Sequence, residues 1–141
     1  MNTIVLLFLF VLNQKPEPVH QKISHEWVSF EITNHDLNKK THLTHKINPE
    51  DCDSLRIFSN FTFERINNGI EYTGQWKLKN YSTKISINPI RSFVSNSEPS
   101  LNDVTIFELS DSLMILKYDN DKEGKSTVIK YRRIHRAIIC Y

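Results

Sequence analysis

The sequence predicts an all-β protein, an eight-stranded antiparallel up-and-down β-barrel that follows an N-terminal signal-like segment. Composition is the first reason, because alanine, the best helix former, occurs once in 141 residues while isoleucine, threonine and phenylalanine are common. The second reason is the spacing of apolar residues, which alternate with polar residues in short segments. The third is the set of turn-forming residues that separates most of these segments.

The length and charge of the chain bound its organisation and its partners. A chain of 141 residues is long enough to bury one core and too short for two, so we expect a single domain. The formal net charge is +2, and the lysines and arginines are scattered along the chain. Nucleic acid is not an expected partner, because nucleic-acid-binding proteins concentrate positive charge on one face.

The N-terminus predicts export to the periplasm or beyond the cell. We interpret residues 1–20 as a signal peptide and leader, and residues 21–141 as the barrel with its C-terminal tail. The apolar run Ile4–Leu12 has nine residues, whereas an integral membrane helix needs roughly 20. No basic residue precedes this run, and no small-x-small cleavage site follows it. An internal strand or an unremoved hydrophobic arm is therefore the alternative.

Strand positions follow from the alternation of side chains. In the stretch GIEYTGQWKLKN, residues 69–80, every second position from Ile70 to Leu78 is apolar or glycine, which is the period of a strand with one buried face. Asn68-Gly69 is the strongest turn signal, because both central residues of a type I′ turn need a positive φ. The predicted strands are Glu26–Thr33, Ser54–Ser59, Asn60–Asn67, Ile70–Lys79, Thr83–Asn88, Val104–Leu109, Leu113–Tyr118 and Ser126–Ile134. The second and third of these form either a hairpin or one bent strand.

Closure of the sheet is expected because an open meander of eight strands leaves two exposed edges. A barrel of eight strands is either filled by its own side chains or holds one small ligand. Two connections are longer than ordinary turns, His35–Asp53 and Pro89–Asn102. Loops of this length are often lids or binding loops, so we expect both to cover one end of the barrel.

Four segments carry a resemblance to a known family: HEWVSFEI, LRIFSNFTFERINNGIEYTGQWKLKNYSTKISI, VTIFELSDSLMILKY and TVIKYRRI. Together they resemble the lipocalin-like domains of exported proteins from Bacteroidetes-type bacteria, over about residues 24–134. The landmarks of the resemblance are Trp27, Phe61-Thr62-Phe63, Gly74-Gln75-Trp76, Leu109–Leu116 and Tyr131-Arg132-Arg133. The resemblance implies a lipocalin-like barrel of bacterial origin, and none of its landmarks is a catalytic signature.

The resemblance also implies two structural roles. In lipocalins a first-strand tryptophan closes one end of the barrel beneath a last-strand arginine, so we expect Trp27 to stack with Arg132 or Arg133. Lipocalins often tie a C-terminal tail to the barrel by a disulfide, and Cys52 and Cys140 are the only cysteines. Two free, buried thiols are the alternative, because nothing in the sequence fixes the distance between these residues.

Inward-facing aromatic and aliphatic side chains are the candidates for ligand binding. Aromatic walls with a polar tip supply area and orientation in small-molecule pockets. The six candidates are Phe61, Phe63, Tyr72, Trp76, Ile85 and Ile87. We expect an exported barrel that binds a small apolar or amphipathic molecule in its interior. Packing in a filled core explains the same residues, and the alternative is a non-enzymatic envelope interaction protein that acts through its loops.

No catalytic residue, metal or cofactor is expected from the sequence. His42 and His45, at i and i+3, would share one face if their loop formed a helix, and imidazole is a common metal ligand. The loop has no recognised zinc spacing, however, and lysines among its histidines disfavour a cation. The chain contains no nucleophile elbow, paired acidic motif or phosphate-binding glycine loop. An enzyme that uses the cavity, such as an isomerase, is the third alternative.

Overall fold

The structure, a computed structural model, describes residues 18–48, 53–67, 69–92, 101–120 and 123–135. Within these residues the chain is nearly all β, with one short helix before nine strands. The elements are α1 Val19–Ile23, β1 Glu26–Asp36, β2 Thr41–Lys46, β3 Ser54–Ile57, β4 Thr62–Asn67, β5 Ile70–Lys79, β6 Lys84–Ser92, β7 Leu101–Leu109, β8 Leu113–Asn120 and β9 Lys125–Arg133. No helix among the described residues is long and apolar enough to cross a membrane.

The sheet closes into a barrel because β1 pairs with both β3 and β9. The seven strands from β3 to β9 each pair antiparallel with the next, and β1 completes a ring of eight. The β1–β9 pairing runs from Trp27 opposite Arg133 to Asp36 opposite Lys125. Pairing of the first and last strands gives both edges of the meander a partner. The predicted eight-stranded antiparallel barrel is confirmed.

The ninth strand, β2, lies where the sequence predicted a loop. It pairs with Glu31–Asp36 in the second half of β1, whereas β3 pairs only with Glu26–Val28 in the first half. All six residues of β2 are exposed, so β2 lacks the buried face that makes a strand visible as an alternating pattern. The prediction of a loop throughout His35–Asp53 is therefore wrong for β2.

The second predicted loop, Pro89–Asn102, is also wrong at both of its ends. Strand β6 continues to Ser92 and β7 begins at Leu101, while residues 93–100 lie outside the described residues. Pro89 lies opposite Gly74, next to a register shift in the β5–β6 pairing. A proline is tolerated at such an irregularity, because its missing N–H interrupts a ladder that is already irregular.

The segment from Ser54 to Asn67 is a hairpin, which decides between the two forms that the sequence allowed. Strand β3 pairs with β4, with Ile57 opposite Phe63. Phe61 lies in the connecting turn with a φ of 66°, outside both strands. Phe61 therefore does not share the inward parity of its neighbour Phe63, and its side chain is 51% exposed.

The alternation predicted for residues 69–80 is confirmed. In β5, residues Tyr72, Gly74 and Trp76 are buried, and the residues between and beside them are exposed or half-buried. The inward side chains of the barrel form one packed cluster. Its buried members are Ile23, Trp27, Leu55, Ile57, Phe63, Tyr72, Trp76, Ile85, Ile87, Val104, Met114, Leu116, Ile129 and Tyr131.

Two predictions fall on residues outside the described part of the chain. Residues 1–17, with the apolar run Ile4–Leu12, are among them, and so are both cysteines, Cys52 and Cys140. The signal peptide and the disulfide therefore stay predictions. Asn68 is also outside the described residues, although its turn partner Gly69 is within them.

Gly69 has the positive φ, 72°, that the predicted turn requires. A Cβ added at Gly69 would meet no other atom within 4 Å, so alanine would add backbone strain without a clash. We expect Gly69→Ala to lower the free energy of unfolding by about 1–2 kcal/mol, measured by urea denaturation. Gly124→Ala should cost more, because a Cβ there would lie 2.8 Å from Asn38 Nδ2. If Gly69→Ala is as stable as the wild type, alanine adds no backbone strain at this position and the prediction is wrong.

Candidate ligand-binding site

The six residues predicted to bind a ligand occupy two different places. Five of them, Phe63, Tyr72, Trp76, Ile85 and Ile87, belong to the packed core and are at most 6% exposed. Phe61 lies at the end of the barrel, where its ring centroid is 5.3 Å from that of Trp76. Phe63 also borders a hollow of about 340 Å³ over β4 and β5. A ligand-binding role for these six residues stays a prediction.

Helix α1 contacts the side chain of Trp27. The Trp27 side chain is fully buried, and its indole N–H donates to the carbonyl oxygen of Ile23 over 2.9 Å. Arg132 is exposed, opposite the outward-facing Val28. Arg133 lies opposite Trp27, but its Nη1 atom is 3.5 Å from the Asp111 carbonyl oxygen. The expected stack of Trp27 with Arg132 or Arg133 therefore stays a prediction, and Arg133 is the better placed of the two because it lies opposite Trp27.

An ion pair that the sequence pattern did not predict lies inside the barrel. The Arg65 guanidinium donates to both carboxylate oxygens of Asp53, with Nε 2.7 Å from Oδ1 and Nη2 3.0 Å from Oδ2. The Arg65 side chain is 17% exposed and that of Asp53 7%. The Tyr131 hydroxyl donates to Asp53 Oδ2 over 2.9 Å, and Tyr118 interacts with Tyr131. These four side chains form the interior polar cluster.

Strand parity explains why Arg65 faces inward. Arg65 comes two residues after the buried Phe63 and lies opposite Tyr72 of β5, so all three side chains point to one face. Asp53 precedes β3 and is held by two hydrogen bonds to Ser29. The Asp53 N–H donates to Ser29 Oγ, and the Ser29 N–H donates to the Asp53 carbonyl oxygen, each over 2.9 Å. The parity of Arg65 was visible in the sequence, whereas its pairing with Asp53 was not.

Burial and the ion pair set the protonation of the interior polar cluster. Burial alone would lower the pKa of Arg65, but the Asp53 carboxylate outweighs it and the pKa is raised. Burial, followed by the negative charge of Asp53, raises the pKa of Tyr131 well above its ordinary value. Burial also raises the pKa of Tyr118, although the charge of Arg65 opposes this. Both tyrosines therefore keep their protons at neutral pH.

Alkaline pH is expected to destabilise the protein through Tyr131. The pKa of Tyr131 is raised in the folded state, whereas in the unfolded chain it is about 10. The contribution of Tyr131 to the free energy of unfolding is therefore complete below about pH 10. It is lost as the pH rises toward the folded-state pKa, because only the unfolded chain releases the proton in this range. In this range the free energy of unfolding should fall by about 1.4 kcal/mol per pH unit for each such tyrosine. Denaturant titrations at several alkaline pH values measure this slope.

Two variants test the assignment of the alkaline slope to Tyr131. Tyr131→Phe removes the titrating hydroxyl, so its free energy of unfolding should fall less steeply with pH. Tyr81→Phe is the control, because the Tyr81 side chain is fully exposed and should leave the slope unchanged. Equal slopes in the wild type and in Tyr131→Phe would contradict the assignment.

A cleft of about 420 Å³ lies beside the Arg65–Asp53 pair. On one side of β1, the first half of the strand, up to Val28, pairs with β3, and the second half, from Glu31, pairs with β2. The cleft lies at the change between these two partners. The change of partner interrupts the barrel wall and gives access to the interior polar cluster. The cleft is lined by Ser29, Ile32, Lys46, Ile47, Asn48, Asp53, Arg65, Asn67 and Ile129.

The lining of the cleft combines apolar surface with a positive charge. Three isoleucines supply the apolar surface, and Arg65 and Lys46 are cationic while Asp53 is anionic. Arg65 uses Nε and Nη2 for Asp53, and no described residue accepts a hydrogen bond from its Nη1 atom. The cleft therefore offers a cationic donor beside apolar walls, an arrangement that suits an amphipathic molecule with an anionic group.

The histidines of the predicted loop are not arranged as a helix would place them. His42 and His45 both lie in the strand β2, where an odd separation puts side chains on opposite faces. His42 instead lies opposite His35 of β1. Among the described residues, no group of three or more histidine, cysteine, aspartate or glutamate side chains could hold a metal ion.

Comparison with known protein families finds no family that matches this chain. Comparison with curated proteins finds none that is similar to it. The likeness to lipocalin-like domains therefore rests on the sequence landmarks, and the barrel fold rests on the structure.

Proposed function

We propose that this protein is an exported, lipocalin-like barrel that binds a small amphipathic molecule. The polar group of the ligand lies at Arg65, and its apolar part lies against the isoleucines of the cleft. The observation that carries this proposal is the cleft of about 420 Å³ beside the buried Arg65–Asp53 pair. Its volume falls in the range of about 300–1,000 Å³ that is usual for small-molecule sites.

The buried charges favour recognition over a purely structural role. A buried ion pair is often no more stabilising than well-packed apolar side chains of the same volume, so stability alone does not account for Arg65 and Asp53 inside the barrel. Lys46, which is exposed in β2, adds a second cation to the same cleft. The charges that line the cleft sum to +1, so we propose an anionic group such as a carboxylate on the ligand.

Export is the second part of the proposal, and the N-terminal sequence supports it. The apolar run Ile4–Leu12 has the length of a signal-peptide core. A location in the periplasm or outside the cell follows, where a barrel can take up amphipathic molecules from the envelope. Detection of the mature chain in the periplasmic or extracellular fraction, shortened at its N-terminus, tests this part independently of ligand binding.

An environment-sensitive apolar dye is expected to bind the purified protein and to be displaced by a medium-chain fatty acid. The matching alcohol should displace the dye only at higher concentration, because the acid alone offers an anionic acceptor to Arg65 and Lys46. Fluorescence titration at neutral pH measures both displacements. Lys46→Gln should reduce the difference between acid and alcohol, since it removes one of the two cations.

A variant that fills the cleft locates the binding site. Asn67 lines the cleft and is half-buried, so Asn67→Trp should abolish dye binding while the protein stays folded. Lys77→Trp is the matched control, because Lys77 is exposed on the outer face of β5. Unchanged dye binding in Asn67→Trp, or no dye binding by the wild type, would contradict the proposal.

A non-enzymatic interaction protein that acts through its loops is the alternative. Leu37, in the β1–β2 turn, and Leu43, in β2, are 68% and 60% exposed, and exposed apolar side chains can contact a partner protein. On this alternative neither the dye nor the fatty acid binds. An envelope protein would instead bind the wild-type barrel and lose affinity in Leu37→Ser and Leu43→Ser.

A further inference from the structure

Two histidines face each other on the hairpin formed by β1 and β2. His35 lies directly opposite His42 in the antiparallel register, and their ring centroids are 6.2 Å apart with an angle of 34° between the ring planes. Directly opposed residues of an antiparallel pair project to the same face. We propose that His35 and His42 bind a divalent transition-metal ion, Cu²⁺ or Zn²⁺, on the outer face of this hairpin.

The separation of the rings suits a shared ion. An imidazole nitrogen lies about 2.0–2.1 Å from a bound zinc ion, so two rings that share an ion have centroids roughly 4.5–6.5 Å apart, depending on the angle at the metal. The centroid distance of 6.2 Å is near the upper end of this range, which corresponds to two rings on nearly opposite sides of the ion.

The surroundings leave both rings free to bind an ion. His42 is exposed and His35 is half-buried, and the described residues supply no hydrogen-bond partner to either ring. The neighbouring hydroxyls of Thr33 and Thr44 are hydrogen-bonded to each other over 2.9 Å. On its other side His35 lies opposite Ser126, which is small and neutral.

The charged residues near the pair are mostly neutralised by other partners. Lys39, in the turn of the hairpin, lies 3.8 Å from Asp36. Asp119, one strand beyond Ser126 on the same face, lies 3.0 Å from Lys117. Because the described residues bring no third protein ligand to the pair, the site has two protein ligands, and water completes the coordination. Such a site favours Cu²⁺ over Zn²⁺ in affinity.

The experiment titrates the full chain, free of any polyhistidine tag, with Cu²⁺ and separately with Zn²⁺. Calorimetry in a non-chelating buffer should show one saturable equivalent per chain. His35→Gln and His42→Gln should each weaken binding by at least about tenfold, because even residues that only orient a metal ligand change affinity by 10–100-fold. His45→Gln is the matched control, since His45 lies on the opposite face of β2, and it should bind like the wild type.

A second readout needs no variant. In the wild-type protein, Zn²⁺ should shift the imidazole NMR signals of His35 and His42 together and leave that of His45 in place. Absence of saturable binding would overturn the proposal. Equal affinity in the wild type, His35→Gln and His42→Gln would also overturn it, because the ion would then be bound elsewhere.

Discussion

Arg65→Met is expected to lower the free energy of unfolding by about 3–5 kcal/mol, because Asp53 would stay buried without its partner. The Asp53 side chain is only 7% exposed and accepts two hydrogen bonds from Arg65. A loss of this size is a large share of the roughly 5–15 kcal/mol that holds a domain folded. Urea denaturation at neutral pH measures it.

Two further variants show whether the loss comes from the uncompensated charge. The double variant Asp53→Asn/Arg65→Met removes both charges and should recover much of the stability, since it leaves no unpaired ion. Arg56→Met is the matched surface control, because Arg56 pairs with Glu26 and Glu64 at 3.3 and 3.0 Å while its side chain is 43% exposed. That change should cost no more than about 1 kcal/mol. Equal losses in Arg65→Met and Arg56→Met would contradict the argument.

The effect of Arg65 on folding is separable from its effect on binding. If the double variant folds, its dye binding should persist, because the apolar walls of the cleft remain. Its preference for the fatty acid over the matching alcohol should decrease, because the acid then meets only Lys46. A folded double variant with the full preference for the acid would show that Arg65 does not contact the anionic group.

Trp27→Ala is expected to cost about 3–5 kcal/mol and to lower the melting temperature by roughly 10 °C or more. Trp27 is fully buried in the core cluster, so alanine leaves a cavity between α1 and the barrel. The change also removes the hydrogen bond from the indole N–H to the Ile23 carbonyl oxygen. Thermal unfolding followed by circular dichroism measures the effect.

Substitutions of the two arginines show what covers Trp27. Arg132→Ala should change the free energy of unfolding by less than about 0.5 kcal/mol, because Arg132 is exposed and opposite Val28. Arg133→Ala should also have a much smaller effect than Trp27→Ala, since α1 covers the indole. If Arg133→Ala destabilises the protein as much as Trp27→Ala does, the arginine is needed for closure. Near wild-type melting of Trp27→Ala would show that the core tolerates its loss.

The candidate site could be predicted only in part, because inward parity does not reveal whether an interior is filled. The pattern placed Tyr72 and Trp76 inside the barrel, and both are buried there. Whether such rings surround a cavity depends on how side chains from all strands fill the space, and this has no local signal. Arg65 is two residues from Phe63 in the same strand and so points to the same face. The role of a charged residue at such an inward position is clear only once its partner is known.

Most of the strands and the inward face of β5 could be predicted from the order of residues, because a strand with one buried face has a side-chain period of two. Closure of the barrel could be predicted because an open meander leaves two unpaired edges. The turn at Gly69 could also be predicted from the sequence, because glycine adopts a positive φ without strain. The remaining features depend on how the strands pair in the folded chain. Strand β2 has no buried face, so only its pairing with β1 makes it a strand. The contacts of Arg65 with Asp53 and of His35 with His42 depend on which strands are neighbours and in what register, and register is set by the packing of the whole sheet.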